Sequence, residues 1–140
     1  MRPLLDTNVL IDVALNRPGL HEASGATVAW SLNHPGSAVL AVHSLATVSY
    51  LLGRVAGPAK AREFIADLIA GMDIAPLDNA EVNRALELPL GDFEDALIAA
   101  AAESASATHI VTRNLADFRR APVKAVTPEE FMWLTVRSSR

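Results

Sequence analysis

The sequence predicts an α/β domain: a central parallel sheet of about five strands with helices on both faces. Three observations point there. Short apolar runs alternate with longer helical patterns along the chain, as happens when buried parallel strands are joined by crossover helices. A carboxylate follows the first of those runs directly, and another lies a few residues beyond the fourth. That is the carboxyl end of the strands, where open α/β sheets bind ligands. Finally, 140 residues at 51% hydrophobic content can build one sizeable core and are too apolar for disorder.

The elements follow in order. Arg2 to Leu5 is the first strand, and Val9 to Leu15 the first helix, stopped near Pro18. Leu20 to Leu32 is the second helix, ended by Asn33-His34-Pro35-Gly36. The strand Ala38 to Val42 precedes a helix from Ser44 to Val55, closed by Gly57-Pro58. Pro58 to Ile69 is the fourth helix, with Gly71 as its stop. The strand Asp73 to Pro76, the helices Asn79 to Leu88 and Phe93 to Ser104, and the strand His109 to Thr112 come next. After the strand Lys124 to Val126, Thr127-Pro128-Glu129-Glu130 is a strong helix start, with Thr at N-cap, Pro at N1 and Glu at N3. There is no repeat, linker or second composition, so residues 1–140 are expected to form one domain.

Composition removes several classes. With no cysteine there are no disulfides, thiolate metal sites or Cys nucleophiles, which suits a reducing cytoplasm. The start lacks an uninterrupted apolar h-region, and the run Ala96 to Ala102 is far short of the ~20 residues that span a bilayer. A soluble cytoplasmic protein without membrane association is expected. No dinucleotide fingerprint, P-loop or nucleophile elbow occurs. The four histidines show no metal spacing, and structural roles are expected for them, although His43 lies at a strand end. A net charge of -4 does not advertise nucleic-acid binding. Yet from Arg113 onward six basic residues (Arg113, Arg119, Arg120, Lys124, Arg137 and Arg140) face only three acids. Ordinary surface charge competes with phosphate binding as the reason.

Three acidic stations remain, each with a plain structural alternative. Asp6 either serves chemistry or simply caps the first helix, a role Thr7 also suits. Asp12, about two turns on, is expected to be solvated. Asp92 and Asp95 share a helix face at a spacing of three, which is also that of a capping box. Asp95 opens an unusually apolar helix, where a carboxylate needs a partner or a metal. Glu94 is expected to point elsewhere. Asp117 lies past the fourth strand, where it serves a turn or the cluster. Carboxylates within ~4 Å repel by roughly 1–4 kcal/mol per pair at effective dielectrics of 80 to 20. A hard divalent cation removes that penalty, and all-oxygen donors fit Mg²⁺ or Mn²⁺ rather than Zn²⁺. Metal-assisted phosphodiester hydrolysis is the natural chemistry.

These residues resemble the PIN-domain ribonucleases, most closely the VapC-type toxins of bacterial toxin–antitoxin pairs. Leu4-Leu5-Asp6-Thr7-Asn8-Val9-Leu10-Ile11-Asp12 looks like the first family motif. Asp92-Phe93-Glu94-Asp95-Ala96-Leu97-Ile98-Ala99-Ala100 looks like the third, and Val111-Thr112-Arg113-Asn114-Leu115-Ala116-Asp117-Phe118 like the fourth. The resemblance runs in order from about Pro3 to Val126. It implies a PIN fold, a Mg²⁺- or Mn²⁺-dependent endoribonuclease, a homodimer and a cognate antitoxin. Asp6 matches the first family acid and Asp95 the third.

At two positions the chain departs from the family pattern. Thr47 stands where the family usually carries a Glu, and Asn114 where it often carries an Asp. Either Asp92 or Asp117 compensates, or metal affinity is weak. The leading expectation is an active ribonuclease with Asp6, Asp95 and Asp117 catalytic, and Asp6, Asp95, Asp117 and Asp92 holding metal. Asn8, Thr112, Arg113, Asn114 and the C-terminal basic residues would bind RNA, with Thr47 at the rim of the cleft. The alternative is a PIN-fold module that binds a protein or RNA with little catalysis. A third reading, a haloacid-dehalogenase-like phosphatase with Asp6 as nucleophile, lacks that family's second Asp, since Asn8 occupies its place.

Overall fold

The structure, a computed structural model, describes residues 1–138. Arg140 lies outside the described residues. Five parallel strands form one sheet: β1 (Pro3–Leu5), β2 (Val39–Leu40), β3 (Asp73–Ile74), β4 (His109–Val111) and β5 (Ala125–Val126), in the order β3-β2-β1-β4-β5. β1 is central and registers Leu4 against Val39 of β2 and Ile110 of β4. The seven helices are α1 (Thr7–Ala14), α2 (His21–Asn33), α3 (Val42–Ala56), α4 (Pro58–Ile69), α5 (Asn79–Glu87), α6 (Phe93–Ser104) and α7 (Pro128–Ser138). A single 3₁₀ turn, Leu115–Phe118, follows β4. The predicted fold class and the order of its elements are therefore observed.

Strand alternation splits the core into two layers. Leu4 and Ile110 face the layer made by α5 and α6, while Leu5 and Val111 face the layer of α1, α2, α3 and α7. Helix α6 is the tightest element. Ala96 and Ile98 to Ala102 are all buried, and so many alanines let its backbone lie close to the sheet. On the other side Phe131 of α7, fully buried, meets Trp30 of α2 edge-on at 5.1 Å. Gly57, at φ 94°, closes α3 and leads straight into Pro58 at the start of α4, a turn that a side chain would strain.

Boundaries differ from the sequence expectation in two informative places. Helix α1 begins at Thr7 with Asp6 as its cap, so Thr7 is the first helical residue and not the cap. Helix α3 begins at Val42 rather than Ser44, because the Ser44 N–H already bonds the Ala41 carbonyl at 3.0 Å. The Ser44 hydroxyl is then 2.7 Å from that of Thr7, which pins the starts of α1 and α3 together.

Candidate active site

The chain leaves β1 toward β2 and β3 on one side, and returns through β4 to β5 on the other. The sheet's topological switch point therefore lies between the carboxyl ends of β1 and β4. Asp6 and Thr112 are the first residues beyond those two ends. They meet there: the Thr112 hydroxyl donates to Asp6 Oδ2 at 2.8 Å across 106 residues of sequence. Asn8 Nδ2 donates to the same oxygen at 3.2 Å, and the Thr7 N–H donates to Oδ1 at 2.8 Å. A carboxylate has about four acceptor sites, so these three bonds leave Asp6 oriented with about one site still open, on Oδ1. The residue is only 5% exposed. Burial pushes its pKa up, the bonds from Thr112 and Thr7 pull it down, and the charges of Glu94 and Asp117 add to the rise.

Helix α6 brings the second station. Asp92 is its N-cap, accepting the Glu94 N–H at 2.7 Å. Asp95 closes no capping box with it, whereas Asp78 and Glu81 form one on α5. Released from that role, the half-buried Asp95 side chain faces Asp6. Its pKa is pushed up to about 7, first by burial and then by the charges of Asp6, Asp92, Asp117 and Glu94. A cavity of about 290 Å³ is lined by Asp6, Asn8, Thr47, Asp92, Asp95 and Asn114, and also by Asp117 and Glu94. So Asp6, Asp92, Asp95 and Asp117 share one cleft, with Asn8, Asn114 and Thr47 on its walls. Glu94 corrects the sequence expectation. Neighbouring helix positions are ~100° apart, but this cleft wraps the end of α6, and both residues reach it.

The remaining predicted site residues have structural partners. Thr112 is fully buried, and besides Asp6 its hydroxyl accepts from the Asn114 N–H at 3.0 Å. Arg113 Nε donates to Asp12 Oδ2 at 2.7 Å. Asp12 is not solvated as expected: it is 0% exposed and also accepts from the Ser24 hydroxyl at 2.9 Å, with Arg17 at 3.7 Å. Nothing local in the sequence announces this, because Arg113 lies 101 residues away. The Thr47 hydroxyl donates to the His43 carbonyl at 3.2 Å, one turn back on α3. Burial holds the His43 pKa down, with the Glu94 charge opposing it.

The donors facing the cleft are carboxylates, amides and a hydroxyl, a set suited to a hard divalent cation. Among the described residues no three acidic or histidine side chains are already gathered around one point. Mg²⁺ tolerates that, since it commonly takes one or two carboxylates and keeps several waters. The mutual repulsion carried by Asp95 is what a cation would relieve.

An all-parallel sheet covered by helices, with an acidic cleft at its switch point, defines an α/β domain. Residues 2–116 match the family model described as PIN domain, and the chain belongs to that family. The family named from the motifs is thus the family found, and the phosphatase-like reading is set aside. No curated protein matches the chain. Several solved structures share the fold. VapBC2 from Rickettsia felis, bound to a DNA fragment of its promoter, is 17% identical with a TM-score of 0.69, covering 91% of this chain and 98% of that one. A toxin–antitoxin complex from Klebsiella pneumoniae is 27% identical with a TM-score of 0.67, covering 90% and 97%. VapC20 from Mycobacterium tuberculosis, a toxin that cleaves the sarcin–ricin loop, is 16% identical with a TM-score of 0.67, covering 86% and 95%. No helix among the described residues is long and apolar enough to cross a membrane.

Proposed function

We propose that this chain is the toxin of a toxin–antitoxin pair, a Mg²⁺- or Mn²⁺-dependent endoribonuclease that hydrolyses RNA phosphodiester bonds. The carrying observation is the convergence of Asp6, Asp92, Asp95 and Asp117 on one cavity in a PIN-family chain. The Klebsiella pneumoniae complex, which shares 27% identity, supports a cognate antitoxin as partner. A homodimer is part of the same proposal and is checked by sedimentation.

Asp6 and Asp95 would hold the cation, with Asp92 and Asp117 assisting directly or through water. When bound, such an ion neutralises the phosphate, activates a water and stabilises the leaving oxygen. The chain's own contribution is positional and protonic. Asp6 is clamped by Thr7, Asn8 and Thr112, so its open acceptor site points in a fixed direction. Burial and the neighbouring carboxylates push the Asp95 pKa up to about 7, so near neutral pH its proton would give way to a cation and the freed carboxylate would serve as a ligand. Asn114 offers its amide group at the wall for phosphate or sugar oxygens, while the Asn8 amide is spent on Asp6, Thr112 and the Arg113 N–H and acts by holding Asp6. Single-stranded or looped RNA is the substrate class, since its bases are accessible.

The test is cleavage of a generic single-stranded RNA with Mn²⁺, Mg²⁺ or EDTA, using the wild type, Asp6→Asn and Asp95→Asn. Metal-dependent cleavage lost in both variants supports the proposal. RNA binding without cleavage under any metal favours the binding-module reading, which Thr47 and Asn114 at usual acidic positions motivate.

A further inference from the structure

The acidic cleft has a second chamber. A cavity of about 490 Å³ lies on the other side of Asp92, Asp95 and Asp117, which line both spaces. Its remaining walls include Gly91, Ala116, Arg119 and Arg120. The volume is within the range of small-ligand sites, roughly 300–1,000 Å³. The two chambers differ in sign. Among the described residues no cation lines the first, whereas two guanidiniums line the second.

Those guanidiniums are uncommitted. Arg2, Arg17, Arg84 and Arg113 each pair with an acid, and Arg54 and Arg137 lie over the rings of Tyr50 and Trp133. Arg119 and Arg120 are exposed and make no ion pair among the described residues, although Asp92 and Asp117 line the same cavity. The backbone that carries them is nonetheless held. They follow the 3₁₀ turn that carries Asp117, and Phe118 of that turn is only 2% exposed, anchoring it in the core.

We propose, resting on the ribonuclease reading, that this second chamber is the substrate channel on one side of the cleaved bond, where Arg119 and Arg120 grip the phosphates of single-stranded RNA. A polyanion approaching five acids is repelled, so a pair of cations beside them sets where the strand can lie. The grip is one-sided: the RNA is held through the residues on the arginine side of the scissile phosphate and little on the other.

The experiment uses a fluorescein-labelled single-stranded oligoribonucleotide, with anisotropy read in EDTA so that no cleavage intervenes. Arg119→Glu/Arg120→Glu is expected to weaken binding at least tenfold, and the loss of two phosphate contacts is expected to flatten the salt dependence by about 1.4 in log–log slope. Arg119→Lys/Arg120→Lys should retain most of the binding. Lys60→Glu/Arg62→Glu on the exposed face of α4 is the control, expected to change binding less than twofold. Equal losses in the two charge reversals, no loss in the first, or no RNA binding by the wild type would each overturn the channel. Cleavage with Mn²⁺, run in parallel, separates the two ideas. Intact cleavage and binding by the arginine variant sinks the channel and leaves the nuclease. Arginine-dependent binding without wild-type cleavage sinks the nuclease and leaves the channel as an RNA site.

Discussion

Helix α1 carries two buried carboxylates, Asp6 at its cap and Asp12 within it, and their surroundings are opposite. Asp12 is compensated: Arg113 and Ser24 bond one oxygen, and Arg17 approaches the other. Asp6 faces Asp95 and the charges of Glu94 and Asp117, with neutral donors alone holding it. The same loop serves both, Thr112 reaching Asp6 and the next residue, Arg113, reaching Asp12. Neutralised charge holds the loop in place. Unneutralised charge beside it is what the proposed cation would relieve.

The largest effect should come from unbalancing the neutral region. Asp12→Ala removes a fully buried anion from two partly exposed arginines and from the Ser24 hydroxyl, at a cost of about 2–3 kcal/mol. A drop in Tm on the order of 10 °C is expected by calorimetry. Asp6→Asn should cost less, because burial already disfavours its charge, although the new amide N–H₂ meets the Asn8 and Thr112 donors at that position. A larger loss from Asp6→Asn than from Asp12→Ala would reverse the assignment.

Next in size is chemistry. Asp95→Asn should lower kcat/KM for RNA by about 100-fold, equivalent to about 2.7 kcal/mol. Glu94→Gln, at the same cavity but solvent-exposed, should lose less than tenfold. Equal losses, with folding intact, would mean that the cleft does not distinguish them.

A pH scan is expected to show a smaller effect. Folded Asp95 keeps its proton up to about pH 7, whereas the unfolded chain releases it near the ordinary carboxylate value, about 3.9. Between those values the folded state binds more protons, so this stability is full at acid pH and is lost as pH rises through about 7. At pH 8 Asp95→Asn should therefore be more stable than wild type, by about 1 kcal/mol once solvent screening is allowed for. At pH 3 the difference should vanish. Mn²⁺ competes with that proton, so its affinity, read by titration calorimetry, should rise from pH 6 to pH 8 in the wild type alone. A flat profile would remove Asp95 from the cation site.

The smallest change is at Thr47. Thr47→Glu adds a carboxylate to the cavity wall and should tighten Mn²⁺ binding a few-fold. Weaker binding would mean that the charge of the cleft is already sufficient.

Much of this architecture was readable because its signals are local. Buried parallel strands are short apolar runs, and Gly57-Pro58 and Thr127-Pro128 punctuate helices wherever they occur. Asp6, Asp92, Asp95 and Asp117 stood out because each follows or opens an apolar element. What could not be read was pairing across the chain. Asp12 looked solvated because Arg113 lies 101 residues away. Arg113 looked free for phosphate for the same reason, and Arg119 and Arg120 were indistinguishable from other late basic residues. Glu94 was misplaced by applying mid-helix geometry to a first turn.

The bond between Thr112 and Asp6 spans 106 residues, and β1 pairs with β4 over a similar separation. Contacts of such range form late, because the loop between them must first be closed. A ribosome making this chain lays down Asp6 106 residues before Thr112 and cannot complete the cleft until the fourth strand has emerged. Until then, and in any product truncated before Thr112, Asp6 lacks the hydroxyl that orients it.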